Sequence, residues 1–218
     1  MADQVAVTLP VEDGLPAADY VRLAQLAERC GYDAVLAGEV AGPEVFSLLG
    51  MIAARTTSIM IGSGITGMYA RPPALTAMGF ATLASCAPGR VIAGLGTSSP
   101  IIVEGWYGTP FVNPVATAGE FIAVLRQALT GAAVSFAGQQ LSSAGFRATM
   151  TPPSPVPVLL AAMNWTRRPR PGRAGTAARR CAWSATTPCT PCARSAPRRR
   201  WRTTSGRCGR PGSTCPWC

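Results

Sequence analysis

Histidine and lysine are both missing from the 218 residues. Histidine is the side chain whose ordinary pKa lies nearest neutral pH. Its absence excludes the usual general acid–base group, a Ser-His-Asp mechanism and any histidine-ligated metal. No uninterrupted apolar run is long enough to cross a bilayer, so no membrane partner is expected. Met1–Pro10 carries Asp3 and has no basic run before an apolar stretch, unlike a secretory signal. Cys30 and Cys86 are the only cysteines before residue 165, and two scattered thiols fit a reducing, cytoplasmic setting.

Other absences are local. All ten acidic residues lie between Asp3 and Glu120. The 20 basic residues are all arginine, seven in 1–164 and 13 in 165–218. The net charge of +10 would point to nucleic acid or a membrane surface if it were evenly spread. It belongs to the tail alone, because 1–164 is mildly acidic. Residues 165–218 contain only Trp, Thr, Arg, Pro, Gly, Ala, Cys and Ser. With no Leu, Ile, Val, Met, Phe or Tyr this segment cannot offset its chain entropy by burial, and a disordered Arg/Pro/Cys-rich tail is expected. Each of its eight residue types is encoded with C or G at the second codon position. Such a run arises when the third positions of a GC-rich gene are read as second positions, which suggests a frame change near Asn164–Trp165. On that reading Cys181, Trp183, Cys189, Cys192, Cys215, Trp217 and Cys218 mark lost apolar positions, and the chain is the product of a disrupted gene.

Two C-x-x-C pairs, Cys189–Cys192 and Cys215–Cys218, offer an alternative. Four thiolates so spaced can bind zinc, and arginine-rich flanks would suit nucleic acid. A segment of eight residue types with six cysteines forms such pairs readily, and Cys181 and Cys208 have no part in the scheme. Neither zinc nor a specific nucleic acid is therefore expected.

Residues 1–164 alternate short β-branched runs with helical patterns. Strands are expected at Gln4–Leu9, Ala34–Ala37, Ile59–Ile61 and Arg90–Leu95, with a fifth buried strand at Val156–Ala161. A helix should open at Pro16 and run to Cys30, burying Val21, Leu23, Leu26, Ala27 and Cys30, with Gly31 as its C-cap. A second starts at Pro43 and buries Val45, Leu48, Leu49, Ile52 and Ala53. A third runs from Pro72-Pro73 to about Cys86. After a long loop, Thr117 and Glu120 have the spacing of a capping box for a helix presenting Phe121, Val124, Leu125 and Leu129. Val134–Phe136 and the stretch near Phe146 suggest a small hairpin. Apolar strands alternating with helices imply a parallel sheet, and the fold class is α/β: a partial TIM-like (β/α)8 barrel of about four and a half β-α units.

In such a barrel the ligand face lies at the C-terminal strand ends. Two glycine clusters fall there: Gly62-Ser63-Gly64-Ile65-Thr66-Gly67 after the third strand and Gly94-Leu95-Gly96-Thr97-Ser98 after the fourth. A lone cluster reads as a tight turn; its repetition points to a ligand. Neither is a dinucleotide or P-loop motif. Glu39, at the end of the second strand, reads equally as a ligand-contacting acid or as a solvated loop carboxylate.

The runs Gly31–Glu39, Ile61–Pro73 and Ala87–Ser98, with the helix Glu120–Leu129 and the segment Gly131–Gly138, resemble the luciferase-like monooxygenase superfamily, and within it the coenzyme F420-dependent oxidoreductases. The resemblance covers residues 4–163. It implies a TIM-like barrel binding coenzyme F420, or FMN as the alternative, and hydride transfer to or from a small-molecule substrate. A bulge that backs the ring, often with a non-proline cis peptide, maps to Gly64–Ile65, followed by Thr66 and Gly67. Thr97 and Ser98 match a cofactor-contacting loop, and Glu39 matches an acidic contact given the catalytic role. The histidine that often follows that acid is Val40 here. The loop that helps hold cofactor phosphate would follow Asn164. Intact homologues often form homodimers; the oxidoreductase read here would be impaired as translated.

Sequencing the gene across codons 160–170 tests the frame reading. Restoring one frame after codon 164 is expected to give a continuing β-α pattern, and low complexity in every frame would refute it.

Overall fold

The computed structural model describes residues 4–161, all within a unit spanning Met1–Thr166. The tail, its cysteine pairs and the expected frame junction lie outside the described residues.

Six strands form one parallel sheet. β1 (Ala6–Thr8), β2 (Ala34–Ala37), β3 (Met60–Ser63) and β5 (Val91–Gly96) lie side by side, and β8 (Val158–Leu160) adds to the far side of β5. β4 (Thr66–Gly67) resumes the line of β3 along the upper half of β5. Between the pairs Gly62–Ile92 and Thr66–Leu95, the β3–β4 segment advances four residues while β5 advances three. The extra residue makes a bulge at the glycine cluster, and the Gly64–Ile65 peptide there is cis.

The crossovers are α1 (Ala17–Arg29), α2 (Val45–Ala53), α3 (Pro73–Cys86) and α5 (Pro114–Leu129); a short α4 (Pro100–Val103) precedes α5. α1, α2 and α3 pack in sequence against one face of the sheet, and α5 packs against α3. Strand alternation decides what they cover. Val35, Ala37, Ile61, Val91, Ala93 and Leu95 are buried, whereas Leu36, Met60 and Ile92 on the opposite, concave face are only half-buried. The architecture is that of a TIM barrel over its first strands, as the sequence implied.

Several local expectations need correction. In α1 the buried stripe is Tyr20, Val21, Ala24 and Ala27, while Leu26 and Cys30 are exposed. Tyr20 sets that stripe by anchoring its hydroxyl region to the loop before it, where the Leu15 N–H donates to its oxygen. Gly31 does close the helix, at φ +77°. Its N–H bonds to the Glu28 carbonyl and that of Tyr32 to the Ala27 carbonyl, a Schellman pattern. In α2 the expected buried residues are the observed ones, with Glu44 as N-cap accepting from the Phe46 and Ser47 N–H groups.

The capping box is not formed. α5 starts at Pro114, so Thr117 lies inside it, and the Glu120 carboxylate accepts instead from the N–H groups of Gln139, Gln140 and Leu141. Those amides close the turn of the hairpin β6 (Ser135–Ala137) and β7 (Ser142–Ala144). Part of the expected loop before α5 is helical, as α4. The fifth strand is not buried: Leu159 and Leu160 stand about half exposed because β8 is the edge of the described sheet.

The end of the sheet away from the strand C-termini is tied by two charged residues. Arg90 donates to the Ile59 carbonyl (3.0 Å), the Thr56 carbonyl (3.1 Å) and the Thr56 hydroxyl (3.1 Å). Glu28 on α1 receives the N–H groups of Thr57, Ser58 and Ile59 and the Ser58 hydroxyl on a single oxygen. Burial alone would raise the Glu28 pKa. The amides of Ser58, Ile59 and Thr57 outweigh it and hold the group at about 2 against an ordinary 4.5. A depressed folded-state pKa contributes stability above the unfolded value and loses it as pH falls through the folded one. The unfolding midpoint is therefore expected to drop between about pH 4.5 and pH 2, with a shallower drop in Glu28→Gln; equal slopes in urea titrations of both proteins would contradict this assignment.

Candidate functional site

The sheet's two central strands approach each other with no room for side chains. A Cβ on Gly94 would lie 1.8 Å from the Ser63 carbonyl oxygen. The Ser63 hydroxyl fills the remaining space, donating to the Gly94 carbonyl (2.6 Å) and accepting from the Gly94 N–H (3.0 Å). Just beyond, the bulge leaves the sheet line but stays tied to β2. The Gly64 N–H donates to the Ala37 carbonyl (2.7 Å), and the Glu39 N–H donates to the Ile65 carbonyl (3.0 Å).

These ties bring the C-terminal ends of β2, β3, β5 and β8 around one cleft of about 560 Å³. Its walls include Glu39 and Val40 after β2, Gly64 and Ile65 at the bulge, Thr97 and Ser98 after β5, and Ala161 after β8. Ile102 on α4 and Phe111 before α5 add apolar surface. The segment carrying Phe111 is fixed in place: its ring packs on Tyr69 (5.2 Å between centroids), and the Tyr69 hydroxyl donates to the Val112 carbonyl (2.6 Å). Ser98 is exposed and holds φ +62°, a left-handed conformation uncommon for a residue with a side chain and frequent at ligand sites.

Of the seven residues singled out in the sequence, Glu39, Gly64, Ile65, Thr97 and Ser98 line this cleft. Thr66 and Gly67 are buried in β4 and do not line it. Thr66 reaches it indirectly, donating its hydroxyl to Glu39 Oε2. Glu39 is also no solvated loop acid. Its side chain is 11% exposed, and Oε1 accepts from Arg71.

Arg71 is the residue that sequence reasoning missed. The same terminal nitrogen that meets Glu39 donates to Glu44 Oε1 at 2.9 Å. The guanidinium lies over the Phe46 ring, 5.0 Å from its centroid, and Phe46 packs edge-on against Phe80 at 4.9 Å. Burial would raise the pKa of Glu44. The Ser47 hydroxyl and amide, the Phe46 amide and the Arg71 charge outweigh it and hold that carboxyl below its ordinary value. Among the described residues, the buried Arg71 Nε has no hydrogen-bond partner. The sole signal in the sequence was its place in the Ile61–Pro73 run, which says nothing of its pairing with an acid 32 residues away.

A model of the luciferase-like monooxygenase family matches residues 4–193, a range that runs past Asn164. The chain belongs to that family. Over 112 residues it is 36% identical to a Mycobacterium tuberculosis protein provisionally named a coenzyme F420-dependent oxidoreductase, covering 51% of this chain and 32% of that protein. It is 31% identical over 171 residues to the F420-dependent glucose-6-phosphate dehydrogenase of Rhodococcus hoagii, covering 72% of this chain and 51% of the relative. The coenzyme F420-dependent tetrahydromethanopterin reductase of Methanopyrus kandleri superposes with a TM-score of 0.68 at 23% identity, over 74% of this chain and 50% of that one. The chain thus spans between a third and a half of the length of these relatives. Among the described residues, no helix is long and apolar enough to cross a membrane.

The contact between Ser63 and Gly94 is expected to control whether this family cleft forms. Gly94→Ala should abolish cooperative urea unfolding, because its new methyl meets backbone and not a movable side chain. Ser63→Ala should cost about 1–3 kcal/mol, leaving the buried Gly94 N–H without its partner. Near-wild-type midpoints for both variants would show that the strands can separate freely.

Proposed function

We propose that residues 4–161 form the ring-binding part of an oxidoreductase that uses coenzyme F420, with FMN as the alternative, on a small organic substrate. The observation carrying this reading is the cleft itself, in which the bulge at Gly64–Ile65, the Thr97–Ser98 loop and Glu39 meet at the C-terminal strand ends. Its composition suits a flat, mostly apolar ring with a polar edge. Ile65, Ile102, Phe111 and Ala161 supply apolar surface, and Glu39, Thr97 and Ser98 supply a few hydrogen-bonding groups. A bound deazaflavin would supply a ring carbon, C5, that accepts or returns a hydride; in a flavin the corresponding atom is N5.

The chain's own contribution is placement and exclusion of water. Gly64 and Ile65 would back one face of the ring, with the Ile65 side chain as the contact surface. Thr97 and Ser98 would bond its polar atoms. Glu39, the acid in the cleft wall, would accept a hydrogen bond from a ring N–H. Its engagement by Arg71 and Thr66 suits a fixed acceptor better than a proton shuttle, and Val40 offers no titrating group. Reactions that need a proton delivered to the substrate should therefore be slow, and the protein as translated is read as an impaired catalyst. The loop expected to help hold the cofactor's phosphate falls after residue 161, outside the described residues. The zinc and nucleic-acid reading also falls there, with no described residue favouring it.

Titration of the purified full-length chain tests the reading. Saturable fluorescence quenching with coenzyme F420 and a weaker response to FMN are expected. The reverse order would assign the site to a flavin, and no response to either would overturn the proposal.

A further inference from the structure

We propose that Arg71 is the positioning residue of this cleft, holding the Glu39 carboxylate where it meets the polar edge of the ring. The inference rests on the deazaflavin or flavin reading and deepens it. Glu39 sits at the end of a strand, on a segment that turns away immediately afterwards, and nothing in its own segment fixes the side chain. The two contacts that do so come from across the bulge: Thr66 on one oxygen and Arg71 on the other. With both oxygens engaged, the carboxylate cannot rotate, and the spare lone pairs keep one orientation.

Arg71 is itself anchored outside the cleft. Glu44, the N-cap of α2, takes the same nitrogen, and the guanidinium carbon lies over the Phe46 ring, which packs edge-on against the fully buried Phe80. The arginine therefore transmits the position of α2 to the wall of the cleft. A purely structural filler would not need this chemistry. Methionine could occupy the same space without leaving a buried Nε–H that has no acceptor among the described residues. Lysine would keep the charge but lose the planar, delocalised group that sits over the ring while reaching two acids.

The test compares Arg71→Met, Arg71→Lys and Glu39→Gln with wild type, each as the full chain. The readouts are the affinity for coenzyme F420 and FMN, the absorption spectrum of the bound cofactor, and the urea midpoint without cofactor. Arg71→Met should lower affinity about tenfold or more and shift the bound spectrum as Glu39→Gln does. Arg71→Lys should fall between it and wild type. The double variant Glu39→Gln/Arg71→Met should lose no more than Glu39→Gln alone, since both act through one carboxylate. A change in urea midpoint with affinity and spectrum unchanged would make Arg71 a structural brace and overturn the proposal. Should Arg71→Met not fold, Arg71→Lys decides: wild-type affinity and spectrum overturn the proposal, and an intermediate loss supports it. A wild-type chain that binds neither cofactor overturns the underlying reading, a result distinct from a binding wild type with indifferent variants.

Discussion

The meeting of Ser63 and Gly94 is the constraint on which the rest of the cleft depends. Two central strands of a parallel sheet come so close that one residue can have no side chain and the other must bond the backbone opposite it. The strand carrying Ser63 cannot continue in register at that separation. It gains a residue, departs from the line of the sheet at Gly64–Ile65, and rejoins it at Thr66. That departure also turns the Ile65 carbonyl toward β2, where it accepts from the Glu39 N–H. The position of the acid thus follows from the packing of strands that do not contain it.

The electrostatics of the site follow the same logic. A half-exposed acid in a cleft would be held loosely by water. Here one arginine lies between two acids, and both acids are further engaged by hydrogen bonds from Thr66 or from the start of α2. The arrangement carries one net negative charge from three charged groups. Partial desolvation strengthens each contact relative to its value at an open surface. A cleft so built presents a fixed acceptor and apolar walls.

Elements whose cause is local were legible in the sequence. The five-residue buried face of α2 follows from helical spacing alone, and β2 from four small and branched residues between Gly31 and Gly38. The family bulge at Gly64–Ile65, with its cis peptide, was reached through resemblance and not through spacing. What failed had distant causes. Glu120 has the spacing of a cap, but three amides of a hairpin turn about 20 residues later compete for its carboxylate and win. In α1, Leu26 is as apolar as any core residue, yet the stripe is set by Tyr20 and its loop contact. Arg71 was invisible for the same reason: its partners belong to β2 and α2, and no periodicity links them.

The concave face of the sheet bears on why the cleft is where it is. In a TIM barrel the inward-pointing side chains of all strands fill the interior and support the site above them. Here Leu36, Met60 and Ile92 occupy that layer half-buried, and Leu159 on β8 is half exposed. The cleft touches this layer at the bulge, where a Cβ on Gly64 would lie 2.9 Å from Leu36 Cβ. Its supports are the Ser63–Gly94 contact, the two backbone bonds from β2 to the bulge, and the Tyr69–Val112 tie that carries Phe111. All of them lie between β2 and α5, and none involves β1 or β8 at the sheet's edges. The geometry of the cleft wall is therefore determined within the segment from β2 to α5, with Leu36 of β2 linking it to the layer below.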